Sequence, residues 1–329
     1  MSYQEFLEEL QFELNIRSNN NYKFELSKAI KANNNEVDTF IVKYREKPTM
    51  APQIYPLNYY RQYQEYGRDL HDIADEFLDI ARKERNNLEH MQEVISELKA
   101  DNAREHLTLR LYNKEWNPEI VKTCAYLDMG CGLVGVPRWE IESMQEGMEA
   151  SILVTKDLQR KLLMTDEEVL NIACENAMQQ EYSFKPMSQV IEELTGQDVS
   201  ENMGEETLFV LTNQKKSFGA IVTMNKDVLR DVQEQIGENG FFVLPSSMHE
   251  CLIVPASQVD DPAFFKSMVE EVNETQVDIE ERLGEDVLRF NGKKLQICNT
   301  MEELMQQRRE EVEMTKHEEK HEEVQRRIA

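Results

Sequence analysis

The stretch Leu208–Pro255 constrains the fold more than any other. It reads LFVLTNQKKSFGAIVTMNKDVLRDVQEQIGENGFFVLPSSMHECLIVP. An apolar run, Leu208–Leu211, meets a polar turn, Thr212–Ser217, and a second apolar run, Phe218–Met224, follows. Val228, Leu229, Val232 and Ile236 then recur at helical spacing until Gly237 and Gly240. Phe241–Leu244 and Cys251–Val254 are two more short apolar runs, linked by Pro245–Glu250. Strand length, β-branched content and flanking breakers make these short runs strands, so the predicted unit is β-β-α-β-β. Strands joined by short links pair antiparallel. The expected fold class is therefore α+β, with mostly antiparallel strands in hairpins, flanking helices, and a charged C-terminal helix or tail.

The rest of the chain fits that class. Residues 3–16 predict a helix with Phe6, Leu7, Leu10 and Leu14 on one stripe. Tyr22–Ala32 and Val37–Glu46 predict a strand pair around Asn33-Asn34-Asn35, because Asn tolerates left-handed backbone. Tyr55, Tyr59, Tyr60, Tyr63 and Tyr66 are spaced to stripe a helix, as core or contact aromatics do. Residues 69–99 form the longest helical pattern, as one helix or two. Leu107–Tyr112, Leu133–Ile141 and Ala150–Thr155 predict strands; Pro118–Tyr126, Asp157–Met164, Thr165–Gln179 and Pro186–Thr195 predict helices, the third opened by a Thr165/Glu168 capping box. Pro262–Val272 is amphipathic, and Asn291-Gly292 is a hairpin turn between Val287–Phe290 and Lys294–Ile297. From Thr300 onward helix formers dominate and apolar residues are few, which predicts a solvated helix.

At 329 residues the chain is long enough for two domains. We place the seam in the polar segment Gln197–Glu206, giving an α+β domain over 1–200, a second over 201–299 and the tail over 300–329. A formal charge of −26 repels phosphates and anionic membranes and favours basic partners or solubility alone. The five cysteines are widely spaced with no CxxC, so neither a disulfide framework nor a zinc site is expected, and a reducing cytoplasm fits. The acidic start MSYQEFLEEL is unlike a signal peptide, and no apolar run approaches the roughly 20 residues that span a bilayer.

Three motifs invite chemistry. His317-Glu318-Glu319-Lys320-His321 matches HExxH, but a zinc protease needs a buried helical face, a third ligand and a cleft, and this segment is charged all round. His71 and His90 have no partners at ligand spacing. Gly130-Cys131-Gly132-Leu133-Val134-Gly135 matches GxGxxG, yet Val136-Pro137-Arg138-Trp139 reads extended where a dinucleotide site needs a helix. Neither cofactor nor metal is expected. The candidate catalytic residues are Ser246, Ser247, His249 and Glu250. A serine nucleophile needs a base in reach and a third group to orient that base. In a strand Ser247 and His249 share a face and Glu250 points to the other, so Glu250 is badly placed to orient His249. The plainer reading is a Pro-Ser-Ser turn whose hydroxyls satisfy backbone groups.

Leu211-Thr212-Asn213, Gly219-Ala220, Leu244-Pro245-Ser246-Ser247-x-His249-Glu250 and Ile54-Tyr55-Pro56-Leu57-Asn58-Tyr59-Tyr60 together resemble an uncharacterised family of gut Bacillota, domain of unknown function 5688. The resemblance spans about residues 3–297, and LPSSxHE is its most specific segment. It implies a bacterial cytoplasmic protein and carries no catalytic assignment. The leading expectation is a non-catalytic protein-binding or regulatory module, using a sheet edge or the Pro245–Glu250 loop. Alternatives are a hydrolase using Ser246 or Ser247 with His249 as base, and an acidic nucleic-acid mimic that binds a basic protein.

Overall fold

A computed structural model of the chain describes residues 1–19, 21–45, 51–141, 150–197, 207–237 and 240–328; the side chains of 86–97, 150, 315 and 317–328 lie outside the described set. The chain divides into two compact units, Met1–Asn102 and Ala103–Ala329.

In the first unit α1 (Tyr3–Arg17) starts at a capping box in which the Ser2 hydroxyl accepts the Glu5 N–H and the Glu5 carboxylate accepts the Ser2 N–H. Its predicted stripe, Phe6, Leu7, Leu10 and Leu14, is buried. β1 (Tyr22–Ile30) and β2 (Glu36–Tyr44) pair from Tyr22↔Tyr44 to Ile30↔Glu36. Asn33 and Asn34 turn the chain at φ 58° and 53°. β3 (Gln53–Ile54) adds to β2. After α2 (Leu57–Tyr66), α3 (Leu70–Glu97) runs as one helix. Ile73, Ala74, Phe77 and Ala81 of α3 meet Phe24, Phe40 and Val42 in the core, with Tyr59, Tyr60 and Tyr63 at its margin. Tyr59 meets Phe77 edge-on at 4.8 Å, so Tyr59, Tyr60 and Tyr63 are packing, while Tyr55 and Tyr66 are exposed.

The second unit holds two sheets. α4 (Ala103–His106) leads into β4 (Leu107–Asn113); α5 (Pro118–Thr123), β5 (Leu127–Asp128), β6 (Leu133–Ile141) and β7 (Ala150–Leu153) follow. β6 lies between β4 and β5 and also pairs with β7. Then come α6 (Lys156–Lys161), α7 (Asp166–Met178) with the predicted capping box, β8 (Tyr182–Pro186), α8 (Met187–Thr195) and β9 (Phe209–Asn213). The remainder is α9 (Lys226–Ile236), β10 (Phe241–Leu244), β11 (Cys251–Pro255), α10 (Pro262–Thr275), β12 (Leu288–Phe290), β13 (Leu295–Ile297) and α11 (Met301–Ile328). These strands form a six-stranded antiparallel sheet in the order β13-β12-β10-β11-β9-β8.

The structure departs from the sequence expectation in several places, beginning with the short strands β3, β5 and β8, which no pattern marked. Phe218–Met224 is not a strand: Gly219–Met224 is a 3₁₀ segment, and β11 takes the place beside β9. Gly219–Thr223 are buried on every side, so the run has no period to tell strand from helix. The seam expected near residue 200 falls inside the second unit, because β8 pairs with β9 from Tyr182↔Asn213 to Pro186↔Phe209. The tail helix is not wholly solvated. Leu304 is buried with Phe242, Leu244, Val254, Val269 and Cys298. Gln307 Nε2 donates to the Ile297 carbonyl at 2.7 Å, and the buried Arg289 guanidinium grips the Glu311 carboxylate with both terminal nitrogens.

Candidate functional site

The site is built on the turn after β9. Asn213 closes it with its own amide: Oδ1 accepts the Ser217 N–H at 3.2 Å and Nδ2 donates to the Ser217 carbonyl at 2.9 Å. Nδ2 also donates to Gln180 Oε1 at 3.0 Å, and Gln180 Nε2 donates to Thr108 Oγ1 on β4 at 3.2 Å. So tight a turn puts Lys216 at φ 55° and Phe218 at φ 49°. Left-handed backbone is an outlier for a bulky residue and persists only where surroundings over-determine it. Here the clamp is the next two residues. Gly219 N–H donates to the His249 carbonyl at 2.9 Å, and Ala220 N–H donates to the Met248 carbonyl at 3.2 Å. The same His249 carbonyl accepts the Thr212 hydroxyl at 2.7 Å.

Phe218 is thereby held against two groups. The Arg110 guanidinium carbon lies 3.3 Å from the centre of its ring, and the His249 imidazole centre lies 4.8 Å away. Phe218 N–H donates to His249 Nδ1 at 3.2 Å, so the neutral ring carries its proton on Nε2. Nε2 stands 3.6 Å from the Glu281 carboxylate. Beside this stack is a cavity of about 360 Å³ whose charged lining is Arg104, Arg110 and Lys215 with Glu105, Glu140 and Glu181. Its volume lies at the lower end of the range for ligand sites. Its floor is cross-linked: Asn176 Nδ2 donates to the Arg104 and Leu107 carbonyls, and His106 stacks on Trp139 at 5.4 Å. A second cavity, about 490 Å³, lies in the first unit beside Asn15, Lys23 and Lys43. Its polar groups are committed. Asn15 bonds the Phe24 backbone, and hydrogen bonds from Lys23 and Lys43 push the Glu25 carboxyl down to about 2.

The sequence-predicted residues come together only in part. Ser246 and Ser247 are 8% and 7% exposed, and their segment is fixed by backbone on both sides. Leu283 N–H donates to the Ser246 carbonyl at 3.0 Å, Met248 N–H donates to the Glu281 carbonyl at 2.8 Å, and Ser247 bridges Arg282. Ser247 Oγ accepts the His249 N–H at 3.0 Å, the turn contact that Pro-Ser-Ser suggests. Among the described residues neither serine hydroxyl is hydrogen bonded to the imidazole. Burial pushes the Glu250 carboxyl up; His249 offsets this in part and Glu281 adds to it. The acid that faces His249 is thus Glu281, and no sequence spacing links the two. Arg110 and Phe218 were also missed. The one signal in the sequence was the bulky residue placed between a polar turn and Gly219.

The other motifs resolve simply. Gly130 and Gly132 adopt φ 77° and 76° in the bend before β6, which is a strand where a dinucleotide site needs a helix. The His317 and His321 side chains lie outside the described residues, and among those described no cluster of three His, Cys, Asp or Glu could hold a metal ion. The cysteines are free, and burial pushes the thiols of Cys131 and Cys298 up to about 11. Among the described residues no helix is long and apolar enough to cross a membrane. A family model described as a family of unknown function, DUF5688, matches residues 3–292. No curated protein and no solved structure matches the chain.

Proposed function

The chain belongs to the DUF5688 family of unknown function, and on that premise we propose that it is a non-catalytic protein-binding module whose site is the cavity beside Phe218. The ligand is a carboxylate-bearing side chain or chain end of a partner polypeptide. The observation that carries this reading is Arg110: the residue is 7% exposed, its guanidinium lies 3.3 Å from the Phe218 ring centre, and it lines the cavity. Arg110 already has a partner within the chain, and a guanidinium fixed by packing loses little freedom when it also offers its fork of donors to a carboxylate. Arg104 and Lys215 line the same cavity, as do Glu105, Glu140 and Glu181; Arg104 is paired with Glu175 at 2.8 Å and Lys215 lies 3.7 Å from Glu140, so Arg110 is the cation on which the reading turns. The Pro245–Glu250 loop serves as the support: its serines are buried and its carbonyls hold the turn that places Phe218. A serine hydrolase fits less well, because Nδ1 of His249 accepts the Phe218 N–H, Nε2 faces Glu281, and both serines are buried.

The test is thermal unfolding with N-acetyl dipeptides ending in Asp or Glu, and with their C-terminal amides. Acidic peptides are expected to raise the melting temperature of the wild type in a concentration-dependent way. The rise is expected to vanish in Arg110→Met and to weaken in Lys215→Ala, whose side chain is largely exposed and safe to truncate. No shift with any acidic peptide overturns the reading. Fluorophosphonate labelling of Ser246 or Ser247 puts the hydrolase in its place.

A further inference from the structure

We infer that His249 is a proton-operated latch on the Phe218 turn, so that protonating its imidazole loosens the cavity wall. The inference rests on the cavity reading only for its consequence; the latch itself is intramolecular. The geometry is specific. Nδ1 of His249 is an acceptor, because the group facing it at 3.2 Å is the Phe218 N–H. An imidazolium has a proton on both nitrogens and accepts nothing. When a proton from solvent is added to Nδ1, two N–H groups face each other and the Phe218 donor loses its partner. The turn that depends on it is already strained, with Lys216 and Phe218 both left-handed. The same proton strengthens the other side of the ring, where Nε2–H faces Glu281 at 3.6 Å. Protonation thus moves the hold on His249 from the Phe218 turn to the turn Ile279–Glu281.

The charged groups around the ring come from each element packed on it. Glu281 faces Nε2, and Arg282 follows it, its Nε bonded to the Val277 carbonyl at 3.1 Å. Glu250 is the chain neighbour, and Arg110 lies across the Phe218 ring. Glu281 offers an acceptor to Nε2–H, and the Phe218 N–H offers a donor to Nδ1. Phe218 is also the ring on which Arg110 rests, so a turn that loosens loosens the guanidinium at the cavity.

The experiment is solution NMR on the whole chain without ligand, between about pH 8 and about pH 5, the span in which imidazoles change charge. The ring ¹⁵N shifts of His249 are expected to show the Nε2–H tautomer at the upper end. The hydrogen-exchange protection factor of the Phe218 amide is expected to fall about tenfold or more as His249 protonates, while Leu229 in α9 keeps its own. Glu281→Gln is expected to move both midpoints down together, and Glu250→Gln to leave the coupling in place. An Nδ1–H tautomer, or Phe218 protection that ignores the His249 titration, overturns the inference. If Phe218 responds and acidic peptides do not bind at any pH, the cavity reading fails and the latch stands.

Discussion

A methyl group on Gly219 would lie well inside contact distance of Thr212 Oγ1 and the Asn213 amide nitrogen, and 2.9 Å from the His249 carbonyl oxygen. Two of these are backbone atoms, one in β9 and one in the hydrogen-bonded loop before β11, and they cannot swing away. Gly219→Ala is therefore expected to cost about 2–4 kcal/mol, read as a lower urea midpoint by tryptophan fluorescence. Leu163 makes the opposite case. It follows α6 in a left-handed conformation, φ 56°, with its side chain 90% exposed. A leucine there pays the strain of a Cβ without packing in return. Leu163→Gly is expected to stabilise the chain by about 0.5–1 kcal/mol, measured in the same titration. Neither the crowding of Gly219 nor the exposure of Leu163 is legible in the sequence, where Gly219 lies inside an apolar run that reads as a strand.

At the scale of the element, the ion pair between Arg289 and Glu311 joins buried Leu304 and the Gln307 hydrogen bond in holding α11 to the sheet. Burial pushes the Glu311 carboxyl up, but hydrogen bonds from Arg289 and Asn291 and the charge of Arg289 outweigh it, and the group ends below its ordinary value. A carboxyl lowered by folding adds stability above its unfolded pKa of about 4.3, and that stability is lost as pH falls through the lower folded value. Glu311→Gln is expected to remove about 1–3 kcal/mol near neutral pH, less than for a fully buried pair because Glu311 is partly exposed. The variant is also expected to flatten the acid limb of a stability–pH curve. Elements with a period were legible from sequence. The α1 stripe, the Asn33-Asn34 turn, the α7 capping box and the Asn291-Gly292 hairpin all stand where spacing and turn chemistry place them. What failed lacks a period. The run after Phe218 is buried all round, and α11 docks through a single buried leucine, Leu304, together with the Arg289–Glu311 pair, too little to make an apolar stripe. The Pro245–Glu250 loop was legible as a turn, but the Glu281 that faces its histidine comes from a distant turn that no local pattern announces.

For the whole molecule, the two units carry different reporters. Trp116, Trp139 and the five cysteines all lie after residue 102, while most of the tyrosines lie before it. Each unit has its own buried core. Equilibrium unfolding is therefore expected to give one midpoint by tryptophan fluorescence and another by near-ultraviolet tyrosine signals; coincident midpoints would mean a single cooperative transition. Of the thiols, Cys174 alone is not fully buried, so it is expected to react first with a thiol reagent in native conditions. The order β13-β12-β10-β11-β9-β8 has one more consequence, and it concerns synthesis. Reading outward from the middle pair, the sheet is laid down edge first: β8 and β9 leave the ribosome before the central strands exist. Phe242 and Leu244 then wait for Leu304 to cover them. A nascent chain stopped short of α11 presents an open apolar face to chaperones until the charged helix emerges to cover it.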